Sequence, residues 1–171
     1  KPISIYPQTL GHILQKFKHF DNTTNMFDFS RVFPSYAIIR TRRTSIAVQA
    51  AIDNGWKPII LNSKYPHSLG PLGIDSLKNI PSQNTLVIIS GMCRMGKVVP
   101  KQFISFVYED SIFIKSDTCL QSLIGRISGY HKLFIHAFIP SFSFKRIASY
   151  PTFISSGTLA HISHIPKFSN K

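Results

Sequence analysis

Acidic residues are scarce in this chain: 7 Asp and Glu stand against 20 Lys and Arg among 171 residues, giving a formal net charge of +13 and a pI near 10.1. The carboxylates are scattered as Asp21, Asp28, Asp53, Asp75, Glu109, Asp110 and Asp117. A metal-dependent nuclease would have one adjacent pair, Glu109 and Asp110, to build on, which disfavours that class. Cysteine is nearly absent. Cys93 and Cys119 fall in separate motifs, so neither a spaced zinc set nor a disulfide framework is indicated, and two reduced intracellular thiols are expected. No apolar run is long enough to span a membrane, and the opening KPISIYPQTLGHILQ lacks the apolar core of a signal peptide. The expected location is intracellular, in the cytoplasm or the nucleoid or nucleus, with no membrane partner and no secretion.

Apolar residues make up 43% of the chain and aromatics 12%, which fits one folded domain rather than a disordered basic tail. The cationic excess sets up a positive field whose natural partners are polyanions, nucleic acid first among them.

Three regions are expected: 1–34 as an N-terminal helical extension, 35–139 as an α/β domain, and 140–171 as a basic extension rich in Ser, Phe and Ile. Leu10 to Phe20 places Leu10, Ile13, Leu14 and Phe17 at helical spacing. From Ser35 the pattern is regular. SYAIIRT reads as a strand, and RRTSIAVQAAIDNG as a helix capped by Thr44 or Ser45 and ended at Gly55. WKPIILNS is a second strand. A Pro- and Gly-rich stretch follows, with one short helix around Asp75 to Lys78. Thr85 to Ser90, Phe103 to Glu109 and Leu133 to Phe138 are further strands, with a helix from Thr118 to Gly129 behind an Asp117 cap. Strands alternating with helices imply an open, mostly parallel sheet of about five strands with helices on both faces. The extension from Pro140 to Lys171 contains no acidic residue, and its His161 and His164 have no third donor nearby to complete a metal site.

Two basic turns carry the chemistry. TLVIIS leads into GMCRMGKVVP, and QFISFVYE leads toward LQSLIGRISGYHK, so both turns are expected at the same end of adjacent apolar strands, where ligands collect on open α/β sheets. Glycine beside arginine lets backbone N–H groups and a guanidinium fork approach one anion together. Arg40, Arg42 and Arg43 form a third basic strand end, read either as a phosphate contact or as a solvated turn. Phe103, Phe106 and Tyr108 alternate along a strand and are expected in the core rather than as stacking platforms.

TLVIISGMCRMGKVVP followed by LQSLIGRISGY resembles motifs V and VI in the second RecA-like lobe of superfamily 2 helicases and translocases. SYAIIRT and WKPIILNS resemble the first and second strands of that lobe, and the likeness covers Ser35 to Phe138. The resemblance implies a RecA-like sheet and an ATP-dependent nucleic-acid motor. Gly96 and Pro100 match motif V, with Arg94 preceding them; Val98 stands where the family has aspartate. Gly125 and Arg126 match the Gly-Arg pair of motif VI; Gln121 lies one position further upstream than the family's glutamine, and Gly129 occupies the place of the second arginine. By this likeness Arg126 is the catalytic, phosphate-reaching residue, and Gly96, Gln121 and Gly125 are nucleotide-binding. The same reading expects Arg40, Arg42, Arg43, Arg94, Lys97 and Lys101 to grip the nucleic-acid backbone. An internal ion pair of Arg126 with Glu109, Asp110 or Asp117 is the alternative reading.

No G-x-x-x-x-G-K-[ST] phosphate loop occurs in the sequence, and no acidic magnesium motif follows an apolar strand. GMCRMGK has the wrong spacing and continues into Val98. Such a lobe is not an ATPase on its own; ATP and Mg²⁺ enter in combination with a first lobe supplied in cis or in trans. The chain begins at Lys1 rather than methionine, and the expectation is that the first lobe is in a preceding segment, in a partner, or lost. The alternative is a non-catalytic nucleic-acid-binding or assembly protein that retains the fold.

Overall fold

The computed structural model describes residues 4–8, 33–91, 98–109, 123, 126 and 135–140, with the side chains of 4–8, 139 and 140 set aside. Its frame is a six-stranded sheet in which every pairing is parallel. The strands are β1 (Ser4–Gln8), β2 (Tyr36–Arg40), β3 (Lys57–Leu61), β4 (Thr85–Ile89), β5 (Ile104–Glu109) and β6 (His136–Pro140). Their spatial order is β1-β6-β5-β2-β4-β3.

The central strands are continuous apolar runs because both of their faces are covered. All five residues of β4 are buried, as are the first four of β2, the pattern parallel sheets require. Side-chain alternation divides the core in two. Ala37, Ile39, Leu86, Ile88, Phe106, Tyr108 and Phe138 project to one face, against helix α1 (Thr44–Asp53) and Trp56. Ile38, Val87, Ile89, Val107 and Ala137 project to the other, against Ile74 and Leu77 of a 3₁₀ helix (Gly73–Lys78), Val99 and Leu123. The fold is therefore α/β, with helical structure on both faces of a parallel sheet.

Helix α1 presents Ala47, Ala50 and Ala51 inward at helical spacing, so its backbone lies close to β3 and β4. Its end is a Schellman arrangement. Gly55, at φ 73°, donates to the carbonyl of Ile52 at 3.0 Å, and Trp56 donates to that of Ala51 at 2.8 Å. The chain then turns Trp56 inward, 5.5 Å from the ring of Phe106, which meets Phe138 edge-on at 6.2 Å and 89°. Such pairs add to simple burial.

The structure departs from the sequence-based expectations at several points. Ser4–Gln8 is a strand and pairs with β6, so the sheet reaches into the segment expected to be an N-terminal extension; the helix expected over Leu10 to Phe20 lies outside the described residues. The N-cap of α1 is Arg43 rather than Thr44 or Ser45, without a side-chain cap. Thr41 takes over the local role, its Oγ1 accepting from the Arg43 N–H at 3.0 Å. Phe103 precedes β5 because the chain from Lys101 to Ile104 is a turn, with the Ile104 N–H on the Lys101 carbonyl at 3.2 Å. The last strand begins at His136 rather than Leu133. In addition, β4 and β5 are not neighbours: β2 runs between them.

Candidate functional site at the carboxyl edge of the sheet

The strand order locates the site. From β2 the chain passes through α1 to β3 and returns to β4, all on one side of β2; it then crosses to β5 and β6 on the other. The reversal at β2 makes the carboxyl ends of β4, β2 and β5 a topological switch point, where open α/β sheets bind ligands. The described turn after β2 holds Arg42 and Arg43, and Ser90 and Gly91 open the segment that follows β4.

Two backbone hydrogen bonds and an Asx turn knit this edge. The Thr41 N–H donates to the Ile89 carbonyl at 3.0 Å, which sets the β2 turn beside Ser90 and Gly91. The Ser90 N–H donates to the Leu61 carbonyl at 3.0 Å, tying the β4 turn to the end of β3. Beyond β3, Asn62 Oδ1 accepts from the N–H groups of Lys64 and Tyr65, each at 2.9 Å, an Asx turn that fixes the direction of the next residues. Gly91 sits at φ 69°, a left-handed position that favours glycine.

Arg40 and Glu109 are register partners across β2 and β5. Arg40 Nη1 lies 3.4 Å from both Oε1 and Oε2 of Glu109, whose side chain is fully buried while that of Arg40 is 16% exposed. By alternation with Ile38 and Val107 the pair lies on the sheet face that also holds Leu123. Arg40 is thus an anchored cation, whereas Arg42 and Arg43 are exposed at the mouth of α1, whose first turn carries no acidic residue. Glu109 as the anchor of Arg40 was not singled out from the sequence. The available signal was a base and an acid closing two apolar runs, YAIIR and ISFVYE, that prove to be parallel neighbours.

Other candidates separate. Arg126 is helical and half-buried, one turn beyond the buried Leu123. Lys101 lies at the opposite edge of the sheet. The residues beside it are tied to strand beginnings, with the Phe103 carbonyl accepting from the Tyr36 N–H at 2.7 Å. Arg94, Gly96, Lys97, Gln121 and Gly125 lie outside the described residues, as do Asp110 and Asp117. Phe106 and Tyr108 are fully buried and Phe103 is partly so, as core residues should be. Burial also pushes the Tyr36 hydroxyl above its usual range, at the amino edge and away from the basic turns.

Among the described residues no three His, Cys, Asp or Glu groups gather as a metal site, and no helix is long and apolar enough to cross a membrane. No protein-family model matches the chain. A stretch of 58 residues is 38% identical to part of an uncharacterized protein of Acanthamoeba polyphaga mimivirus; the match covers 34% of this chain and 15% of the viral protein.

Proposed function

We propose that this chain is the second, C-terminal RecA-like lobe of an ATP-dependent nucleic-acid helicase or translocase. The observation that carries the proposal is the position of the β2 and β4 turns, side by side at the switch point of a parallel sheet and joined by the Thr41 to Ile89 hydrogen bond. Exposed Arg42 and Arg43 there fit the phosphates of a nucleic-acid backbone, whose recognition is by charge and geometry rather than by base identity. Arg126 is assigned to the charge that develops on the transferred phosphoryl group when a first lobe closes over ATP. Among the described residues no acidic cluster gathers as a metal site; the proposal assigns magnesium to the nucleotide and the first lobe.

Fluorescence anisotropy with a labelled single-stranded oligonucleotide across a salt series tests the backbone grip. Removing one phosphate-binding cation reduces the slope of log K against log salt by about 0.7 on single strands, so replacing Arg42 and Arg43 together by Ala should lower it by about 1.4. An unchanged slope would remove the carboxyl edge from the nucleic-acid path.

The departures from the family's motifs, Gly129 in place of the second arginine and Val98 in place of the aspartate, favour a second reading, a binding or assembly protein that retains the fold without turnover. Arg126→Ala separates the two. In a protein carrying both lobes, a motor loses roughly a thousandfold in hydrolysis, the least an arginine of this kind contributes, while its affinity for the oligonucleotide stays within about twofold. If no such assembly hydrolyses ATP, the binding reading stands.

A further inference from the structure

The turn after β3 carries a tyrosine that the core does not use. Tyr65 is 58% exposed, whereas Trp56, Phe106, Tyr108 and Phe138 are all buried. Its backbone is tied on both sides: Asn62 Oδ1 accepts from its N–H, and its carbonyl accepts from Ser68 Oγ at 3.0 Å. The ring is therefore presented from a held turn. Because β3 lies two strand spacings from β2, about 10 Å, Lys64 and Tyr65 extend the edge that begins with Arg42 and Arg43. Among the described residues that close these strands and open the turns after them, the exposed charges are of one sign. Arg42, Arg43 and Lys64 are exposed, and Glu109, the described carboxylate at the same edge, is buried against Arg40.

We propose that Lys64 and Tyr65 form a subsite for one nucleotide of a single-stranded nucleic acid, Lys64 taking a phosphate and Tyr65 stacking on the neighbouring base. This rests on the nucleic-acid reading of the carboxyl edge and adds a preference that the arginines do not supply. Arginine contacts to the backbone accept single and double strands alike, whereas an aromatic platform needs the open face of an unpaired base. An edge of cations ending in an exposed ring combines the two elements of single-strand recognition.

The test compares the whole chain with its Tyr65→Ala, Tyr65→Phe and Lys64→Ala variants on a labelled oligodeoxythymidylate and on a blunt duplex. Tyr65→Ala should weaken single-strand binding about fivefold or more, the minimum for removal of a stacking platform. It should leave duplex binding within about twofold and the salt slope unchanged, because no counterion is involved. Tyr65→Phe, which keeps the ring, should bind as the parent does. Lys64→Ala should lower the slope by about 0.7. If Tyr65→Ala binds the single strand as the parent does, the subsite is wrong; a slope that still falls for the Arg42 and Arg43 double variant would leave the edge itself in place. Equal weakening on single strand and duplex, not restored by Tyr65→Phe, would show a folding role and also overturn the subsite. Failure of the parent chain to bind either oligonucleotide would overturn both readings.

Discussion

Replacing Glu109 by Gln should destabilise the fold by about 3 kcal/mol. The change keeps volume and shape, so its cost comes from removing charge beside Arg40. At the observed 3.4 Å separation, Coulomb attraction with an effective dielectric near 20 is about 5 kcal/mol. Two features reduce the net loss. The Arg40 side chain is 16% exposed and regains some hydration, and the amide oxygen introduced by the substitution still accepts a hydrogen bond, worth about 1 kcal/mol. Equal distances to both carboxylate oxygens, longer than the roughly 2.8 Å of a strong charged hydrogen bond, also point to the lower end of the roughly 3–5 kcal/mol range for broken buried pairs. With a urea slope near 2 kcal/mol/M, the unfolding midpoint should fall by about 1.5 M. A double-mutant cycle with Arg40→Met isolates the pair: the two single losses should not add, and the combined variant should approach the parent, because exchanging both partners for neutral groups relieves the stranded charge. A midpoint shift below about 0.3 M, or additivity within about 0.5 kcal/mol, would refute the claim that Glu109 holds Arg40 at the carboxyl edge.

Gly55→Ala tests the end of α1. Nothing lies within 4 Å of the added Cβ, so the loss of about 1–2 kcal/mol is the cost of left-handed backbone alone, and a midpoint equal to the parent's would show that the Schellman turn is not needed. Tyr36 contributes to the alkaline limb of stability. Its folded pKa is raised by burial above the ordinary 10.0, so the unfolded chain releases the proton first. The stability tied to the neutral hydroxyl is complete below pH 10.0 and declines as pH rises toward the folded value. Urea midpoints measured through that window should fall less steeply for Tyr36→Phe than for the parent; parallel curves would contradict the assignment.

Strand identity was legible where burial on both faces left its mark. Tyr36–Arg40 and Thr85–Ile89 are apolar almost without interruption, and Gly55 announced the end of α1. The strand Ser4–Gln8 was not legible, since SIYPQ is short, contains proline and lies at the sheet's margin, where a missing N–H is tolerated. Order was hidden for a different reason. Consecutive strands are neighbours more often than not, and nothing in the residues themselves says that β2 inserts between β4 and β5. Register was hidden with it. Arg40 and Glu109 are 69 positions apart, and a shift of one residue would have sent their side chains to opposite faces. The Ser105 bulge shows how such a shift is managed: Tyr36 pairs with Ile104 but Ala37 with Phe106, and the hydroxyl of the extra residue donates to the Tyr36 carbonyl at 3.1 Å. Arg40, Arg42 and Arg43 were therefore visible as residue types, but their place beside the end of β4 depended on an order that only the folded sheet supplies.

Lys101 provides the sharpest contrast for the carboxyl-edge reading. It has the same charge as Arg42 and Arg43, yet it lies where β5 begins rather than where β2 ends. A five-residue strand separates those two edges by about 13 Å at roughly 3.3 Å per residue step. That exceeds the Debye length of about 8 Å at physiological salt, so a phosphate held by Arg42 is largely screened from Lys101. If polyanions bound through the net charge of +13 alone, every exposed cation would be interchangeable and each replacement would reduce the salt slope alike. A defined edge predicts inequality: Lys101→Ala should leave the slope within about 0.2 of the parent, and the Arg42 and Arg43 double variant should lose about 1.4. A loss of about 0.7 for Lys101→Ala would show that the strand passes the amino edge as well, and that the switch point does not define the binding path.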